Sequence, residues 1–184
     1  MWWICSSVRL SARPTSSAWS AASNSSRDFR GSGSLISMPR MARAIAATGV
    51  DVIQFDEPAF NVYMGDVTKW GIAALHRAIK GLKKVKTCVH ICYGYGIKAN
   101  IDWKKSLGEE WRQYEKIFPA LARSSIRQVS LECAHSHVPM DLIRLLEGKD
   151  VMVGVIDVAS DVVETPEEVA DTIGRALQFV ARER

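Results

Sequence analysis

A histidine and a cysteine two residues apart are the side chains of this sequence best suited to metal chemistry. His90 and Cys92 lie in the apolar run VKTCVHICYG (85–94), which predicts a strand. Side chains two positions apart on a strand point to the same face. A neutral imidazole and a thiolate are natural ligands for zinc, which accepts nitrogen and sulfur donors. The pair predicts a zinc site, whereas His90 alone would more simply be a buried histidine hydrogen-bonded to a neighbour.

Acidic residues end the other apolar runs of the chain. They are Asp56 and Glu57 after VDVIQF, Glu132 in IRQVSLEC (126–133), and Asp157 in DVMVGVIDV (150–158). The carboxyl ends of parallel strands meet at one rim, where barrel enzymes keep their active sites. Glu132, on the strand after the histidine–cysteine pair, is therefore the candidate third zinc ligand.

Strands and helices alternate from Met41 onward. Apolar runs predict strands over 50–58, 85–94, 126–133 and 150–158, and helical spacing predicts helices over 41–49, 67–81, 109–122, 138–148 and 165–180. Gly49 is expected to stop the first helix, and Pro119 to bend or end the third. This order predicts an α/β fold with parallel strands, about four β-α units, as a partial (β/α)8 TIM-type barrel or a small open sheet.

The first 40 residues differ in composition from the remainder, 41–184. They hold twelve serines, five arginines and one acid, with no sustained helical or strand period. A disordered tail, an organelle-targeting leader and a non-native reading frame each explain this composition. The net charge of +4 belongs to this leader, and the rest of the chain is neutral. The sequence therefore predicts no nucleic-acid-binding surface.

The four cysteines predict free thiols rather than disulfides. They are sparse, lie mostly in strand-like runs and follow no secretory signal, which indicates a reduced, cytoplasmic setting. Cys88 and Cys133 are expected to be core residues. No apolar run reaches the roughly 18 residues that cross a bilayer, so we expect no membrane segment.

Four stretches of the chain resemble the catalytic barrel of the cobalamin-independent methionine synthases, and most closely a shorter, single-barrel branch. The resemblance covers about residues 41–182. Its specific parts are IQFDEPAF (53–60), VHICYGYGIKANIDWKK (89–105), VSLECAHSH (129–137) and GVIDVASDVVETPEEV (154–169).

The resemblance implies a zinc-dependent transfer of a methyl group to the thiol of homocysteine, giving methionine. In this family zinc is held by an H-x-C pair, a glutamate on the next strand and a cysteine near the C-terminus. His90, Cys92 and Glu132 match the first three ligands, and Asp56 matches the aspartate that holds the amino group of homocysteine. The implied partners are homocysteine and a methyl donor, folate or another.

Three departures from the family pattern stand out. The strand expected to carry the fourth zinc ligand is missing, and the leader replaces the first strands of the barrel. Ala159 occupies the position at which larger members of the family have a proton-donating histidine. The loss of that histidine fits the single-barrel branch, and it implies a different methyl donor and a partner protein. His135 and His137 are candidate replacement ligands or solvated loop residues. Candidate pocket-lining residues in the loop after the zinc pair are Tyr93, Tyr95, Lys98 and Trp103.

Two alternatives accompany the methyltransferase prediction. One is an inactive truncated fragment that binds zinc weakly or associates with a complete barrel. The other is a related barrel enzyme, either a decarboxylase of the uroporphyrinogen type or another thiol methyltransferase. The histidine–cysteine pair argues against the decarboxylase, which needs no metal.

Overall fold

The core of the fold is a sheet of parallel strands, each followed along the chain by helices. The computed structural model describes residues 8–10, 38–57, 60, 63–91, 105, 109–134, 137–157 and 160–184. Within them the strands are β1 (Val8–Leu10), β2 (Val52–Asp56), β3 (Lys86–Ile91), β4 (Gln128–Glu132) and β5 (Asp150–Gly154). They are hydrogen-bonded in chain order, and β2 to β5 are all parallel. The predicted α/β fold with four parallel strands is therefore confirmed.

Helical segments fill the connections between the strands. They are α1 (Met38–Ala46), α2 (Met64–Asp66), a π-helix (Val67–Gly71), α3 (Ile72–Ile79), a 3-10 helix (Arg112–Lys116), α4 (Phe118–Ala122), a second 3-10 helix (Met140–Leu146) and α5 (Pro166–Ala176). Gly49 follows α1 with φ of 84°, a left-handed conformation that glycine adopts without strain. Among the described residues, no helix is long and apolar enough to span a membrane.

The sheet has one apolar and one largely polar face, because strand side chains alternate. On the apolar face Phe55, Val89 and Val129 are at most 1% exposed and pack in the hydrophobic core with residues of the surrounding helices. The opposite face carries the pairs Asp56–His90 and His90–Ser130, each directly opposed in the strand register. This polar face is therefore where the predicted site residues meet.

Several predicted elements have different boundaries or types. The single helix predicted over 109–122 is a 3-10 helix followed by α4, because Pro119 lies in the first turn of α4 and begins it rather than ending it. The helix predicted over 138–148 is a 3-10 helix, and the helix over 67–81 begins with a π-helical turn. The last predicted strand ends at Gly154, so Asp157 lies in the following loop and not at a strand end.

The leader contributes one strand that its composition did not predict. The three residues of β1 pair antiparallel with β2, so that Val8 is opposite Phe55. The remaining leader residues up to 37 lie outside the described residues.

Candidate active site

His90 and Glu132 converge on the polar face at the carboxyl ends of β3 and β4. Their side chains are each 19% exposed, and His90 Nε2 lies 3.7 Å from Glu132 Oε1. The other ring nitrogen, Nδ1, is 3.0 Å from Ser130 Oγ. The ring therefore stands between a hydroxyl and a carboxylate, both on the neighbouring strand.

Asp56 lies beside His90 on the adjacent strand β2. It is 9% exposed and accepts a hydrogen bond of 2.8 Å from Gln54 Nε2. Gln54 Oε1 in turn lies 3.8 Å from the thiol sulfur of Cys88, which can donate to it. Burial, followed by the charge of Asp56, raises the pKa of Cys88 to about 12, so this thiol stays protonated. Cys88 is thus fully buried, as predicted for a core residue, although it lies on the polar face of the sheet.

Glu57 is a buried carboxyl group immediately after β2. Glu57 is 8% exposed. Its backbone N–H donates to the carbonyl of His90 at 2.9 Å. Burial first, and then the neighbouring charge of Asp56, raises the pKa of Glu57 to about 7. A buried carboxyl group next to Asp56 in the chain therefore has a pKa near neutral pH.

Two described donors, His90 and Glu132, are compatible in chemistry and in spacing with a shared zinc ion. Zinc–nitrogen and zinc–oxygen bonds of about 2.0–2.2 Å in a tetrahedron place the two donor atoms roughly 3.4 Å apart. The observed separation between His90 Nε2 and Glu132 Oε1 is 3.7 Å. Across the part of the chain that the structure describes, no three His, Cys, Asp or Glu side chains form a metal-binding cluster. Cys92, which the sequence pairs with His90 as a donor, lies outside the described residues.

The remaining predicted residues divide between other environments and undescribed positions. His137 stacks on Trp111, with ring centroids 4.9 Å apart, and its Nδ1 is 2.9 Å from the carbonyl of Glu109. Cys133 is half-buried against the core, and burial raises its pKa to about 11. The backbone N–H of Asp157 donates to Glu164 Oε1. Predictions that lie outside the described residues concern Tyr93, Tyr95, Lys98, Trp103, His135 and Ala159.

Three residues of this site escaped prediction from the sequence. Gln54 and Ser130 contact predicted site residues, and each lies two positions before one of them on its strand. That period of two is the signal that could have found them. Gly154, opposite Glu132 in the register, is the third. A Cβ on Gly154 would lie 3.0 Å from the carbonyl oxygen of Leu131, a tight contact that glycine avoids.

Comparison with known proteins identifies the family to which this arrangement is similar. Residues 35–184 match the family model described as the catalytic domain of cobalamin-independent synthase. Methionine synthase of Sulfurisphaera tokodaii is 30% identical over 138 residues, covering 74% of this chain and 35% of the relative. Methionine synthase of Sulfolobus acidocaldarius is 30% identical over 132 residues, covering 71% and 33%.

A solved structure shows the same relationship in three dimensions. The B12-independent methionine synthase from Shewanella sp. W3-18-1, in complex with selenomethionine, superposes with a TM-score of 0.73 at 63% identity. The match covers 78% of this chain and 42% of that one. The chain thus spans about a third of the length of the curated relatives and under half of this structural neighbour.

Proposed function

The chain belongs to the cobalamin-independent methionine synthase family, and on that premise we propose that it carries the zinc and homocysteine site for methyl transfer to the homocysteine thiol. The observation that carries the proposal is the convergence of His90 Nε2 and Glu132 Oε1, 3.7 Å apart, beside Asp56 on the next strand. The family match favours this function over the decarboxylase alternative.

His90, Glu132 and Cys92 are the proposed zinc ligands. Cys92 lies outside the described residues and enters the proposal from the sequence alone, in which it follows His90 by two positions. A zinc ion held there would lower the pKa of the homocysteine thiol, making a thiolate available at neutral pH.

Asp56 is the proposed binding group for the amino group of homocysteine. A carboxylate and an ammonium group form a charge-assisted hydrogen bond, which is stronger than a neutral one. The hydrogen bond from Gln54 Nε2 to Asp56 Oδ1 restrains the carboxylate in the site. The selenomethionine bound to the Shewanella enzyme supports a binding site for an amino acid of this shape.

The proposed reaction moves one methyl group. The thiolate sulfur of homocysteine attacks the methyl carbon of the donor, a sulfur–carbon bond forms, and the bond between methyl and donor breaks with its electron pair left on the donor. We assign the donor to a methyl carrier of the folate class or a related one. The proposal also includes a partner protein and a cytoplasmic location. The free thiols of Cys88 and Cys133 are consistent with a reduced compartment.

Zinc content is the first test of the metal site. We expect about one zinc per chain in the purified protein and its loss in the double variant His90→Ala, Cys92→Ala. The double variant Cys133→Ala, His76→Ala removes the same residue types outside the proposed ligand set, since His76 is exposed and accepts from the backbone N–H of Ser125, and should retain the metal. Retention of zinc by the first double variant, or its loss only from the second, contradicts the assignment.

Homocysteine affinity of the zinc-loaded protein tests the substrate assignment. Removing the charge with Asp56→Asn should weaken binding by roughly ten- to a hundredfold, since hydrogen bonds to charged groups contribute about 1.5–3 kcal/mol. Asp51→Asn, at an exposed position just before β2, should leave the affinity unchanged. If calorimetry showed that both variants weaken homocysteine binding equally, the proposed role of Asp56 would be contradicted.

A further inference from the structure

Ser130 lies beside His90 because of the strand register. The two residues are directly opposed in the parallel pairing of β3 with β4. Ser130 is 6% exposed, and its Oγ is 3.0 Å from His90 Nδ1. The contact therefore follows from formation of the sheet and does not depend on a loop.

The hydrogen bond at one ring nitrogen of a histidine determines the state of the other. When Nδ1–H donates to an oxygen, Nε2 carries the lone pair that a metal ion needs. In His90 the nitrogen that faces Glu132 is Nε2, and the nitrogen that faces Ser130 is Nδ1. A proton on Nε2 would instead occupy the position of the metal.

We propose that Ser130 is a positioning residue, which accepts a hydrogen bond from Nδ1–H of His90 and thereby presents Nε2 to the zinc ion. The inference rests on the proposed function, because it takes His90 as a zinc ligand. It extends that function by assigning a task to a residue with no metal-binding chemistry of its own.

Two variants of the same shape test the proposal directly. Ser130→Thr keeps a hydroxyl group on Cβ, whereas Ser130→Val replaces it with a methyl group of nearly the same size. Competition with a chromophoric chelator measures the zinc affinity of each. We expect Ser130→Val to bind zinc about 10- to 100-fold more weakly than the parent chain, as for other partners of metal-bound histidines, and Ser130→Thr to bind like the parent.

A second buried serine provides the matched control. Ser124 is 7% exposed, and its hydroxyl donates to the carbonyl of Leu121 at 2.6 Å, outside the site. Ser124→Ala should lower the free energy of unfolding and leave zinc affinity unchanged. A second readout is the Nδ1 proton of His90 in the zinc-loaded protein, observed by ¹⁵N NMR. It should be protected from exchange in the parent and in Ser130→Thr, and unprotected in Ser130→Val.

The outcomes separate this inference from the proposed function. Equal zinc affinity of the Thr and Val variants would overturn the role of Ser130 and leave the zinc site standing. Failure of the parent chain to bind zinc would overturn both. Weaker binding by Ser130→Val together with an exposed Nδ1 proton supports the positioning role.

Discussion

Glu57 gives the sharpest prediction of pH-dependent stability in this protein. The perturbation is Glu57→Gln, which keeps the shape of the side chain and removes its titration. In the folded chain burial and the adjacent Asp56 raise the pKa of Glu57 from 4.5 to about 7. The native carboxyl therefore stays protonated through a pH range in which the same group of the unfolded chain has already ionised.

The sign and size of the effect follow from proton linkage. Between pH 4.5 and about 7 unfolding releases a proton from Glu57, so the stabilisation is complete below 4.5 and is lost as the pH rises through the folded pKa. Each pKa unit corresponds to about 1.36 kcal/mol, so the full change amounts to about 3 kcal/mol. The Gln variant does not lose this contribution. It should match the parent near pH 4.5 and exceed it by up to about 3 kcal/mol at pH 8.

The assay is urea unfolding of parent and variant from pH 4.5 to 8, in the presence of a chelator so that metal binding does not contribute. The quantity of interest is the difference between the two free energies of unfolding at each pH, because the titration of other groups cancels in it. Glu147→Gln, at an exposed position, should give a flat difference. A flat difference for Glu57→Gln as well would refute the reasoning from burial.

Two further predictions concern backbone features of the fold. Thr165→Ala should destabilise the protein by about 1 kcal/mol in thermal unfolding, because Thr165 Oγ1 accepts from the backbone N–H of Glu168 and caps α5. Gly154→Ala should lower the free energy of unfolding by about 1–3 kcal/mol, since the new Cβ would meet the carbonyl oxygen of Leu131 at 3.0 Å. Gly174 lies in α5 with open space around it, so Gly174→Ala should instead raise the free energy of unfolding by about 0.5–1 kcal/mol. If Gly174→Ala destabilised the protein as much as Gly154→Ala, the steric argument would be contradicted.

The ends of some helices could be predicted from local sequence signals. The predicted last helix begins with Pro166 in its first turn and with a capping box between Thr165 and Glu168. The start of α5 could be predicted because all the interacting groups lie within four residues. The stop at Gly49 is local in the same sense.

The end of β5 could not be predicted because apolar, β-branched residues continue past it. Val155 and Ile156 extend the strand-like pattern, yet the ladder with β4 ends at the pair Glu132–Gly154. Ile156 is 54% exposed, so its side chain is not part of the core that the pattern implied. The length of a strand depends on its partner, and hydrophobicity alone does not report the partner.

The grouping of the candidate residues on one face was predictable by residue type, but their pairing was not. Histidine, cysteine and carboxylates at strand ends indicated His90, Glu132 and Asp56, and the structure brings these three to one face. Gln54 and Ser130 were missed because their contacts depend on the register between strands, which sequence periodicity leaves open. The raised pKa of Glu57 likewise depends on tertiary burial.

The two faces of the sheet also determine how the protein should tolerate mutation. Along β3 and β4 the core-facing residues Val89 and Val129 alternate with the site-facing residues His90 and Ser130. Substitutions on the first set should reduce the yield of folded protein, while those on the second should reduce function in protein that remains abundant. A saturation library scored once for abundance and once for activity would then show two profiles with a period of two, displaced from each other by one residue.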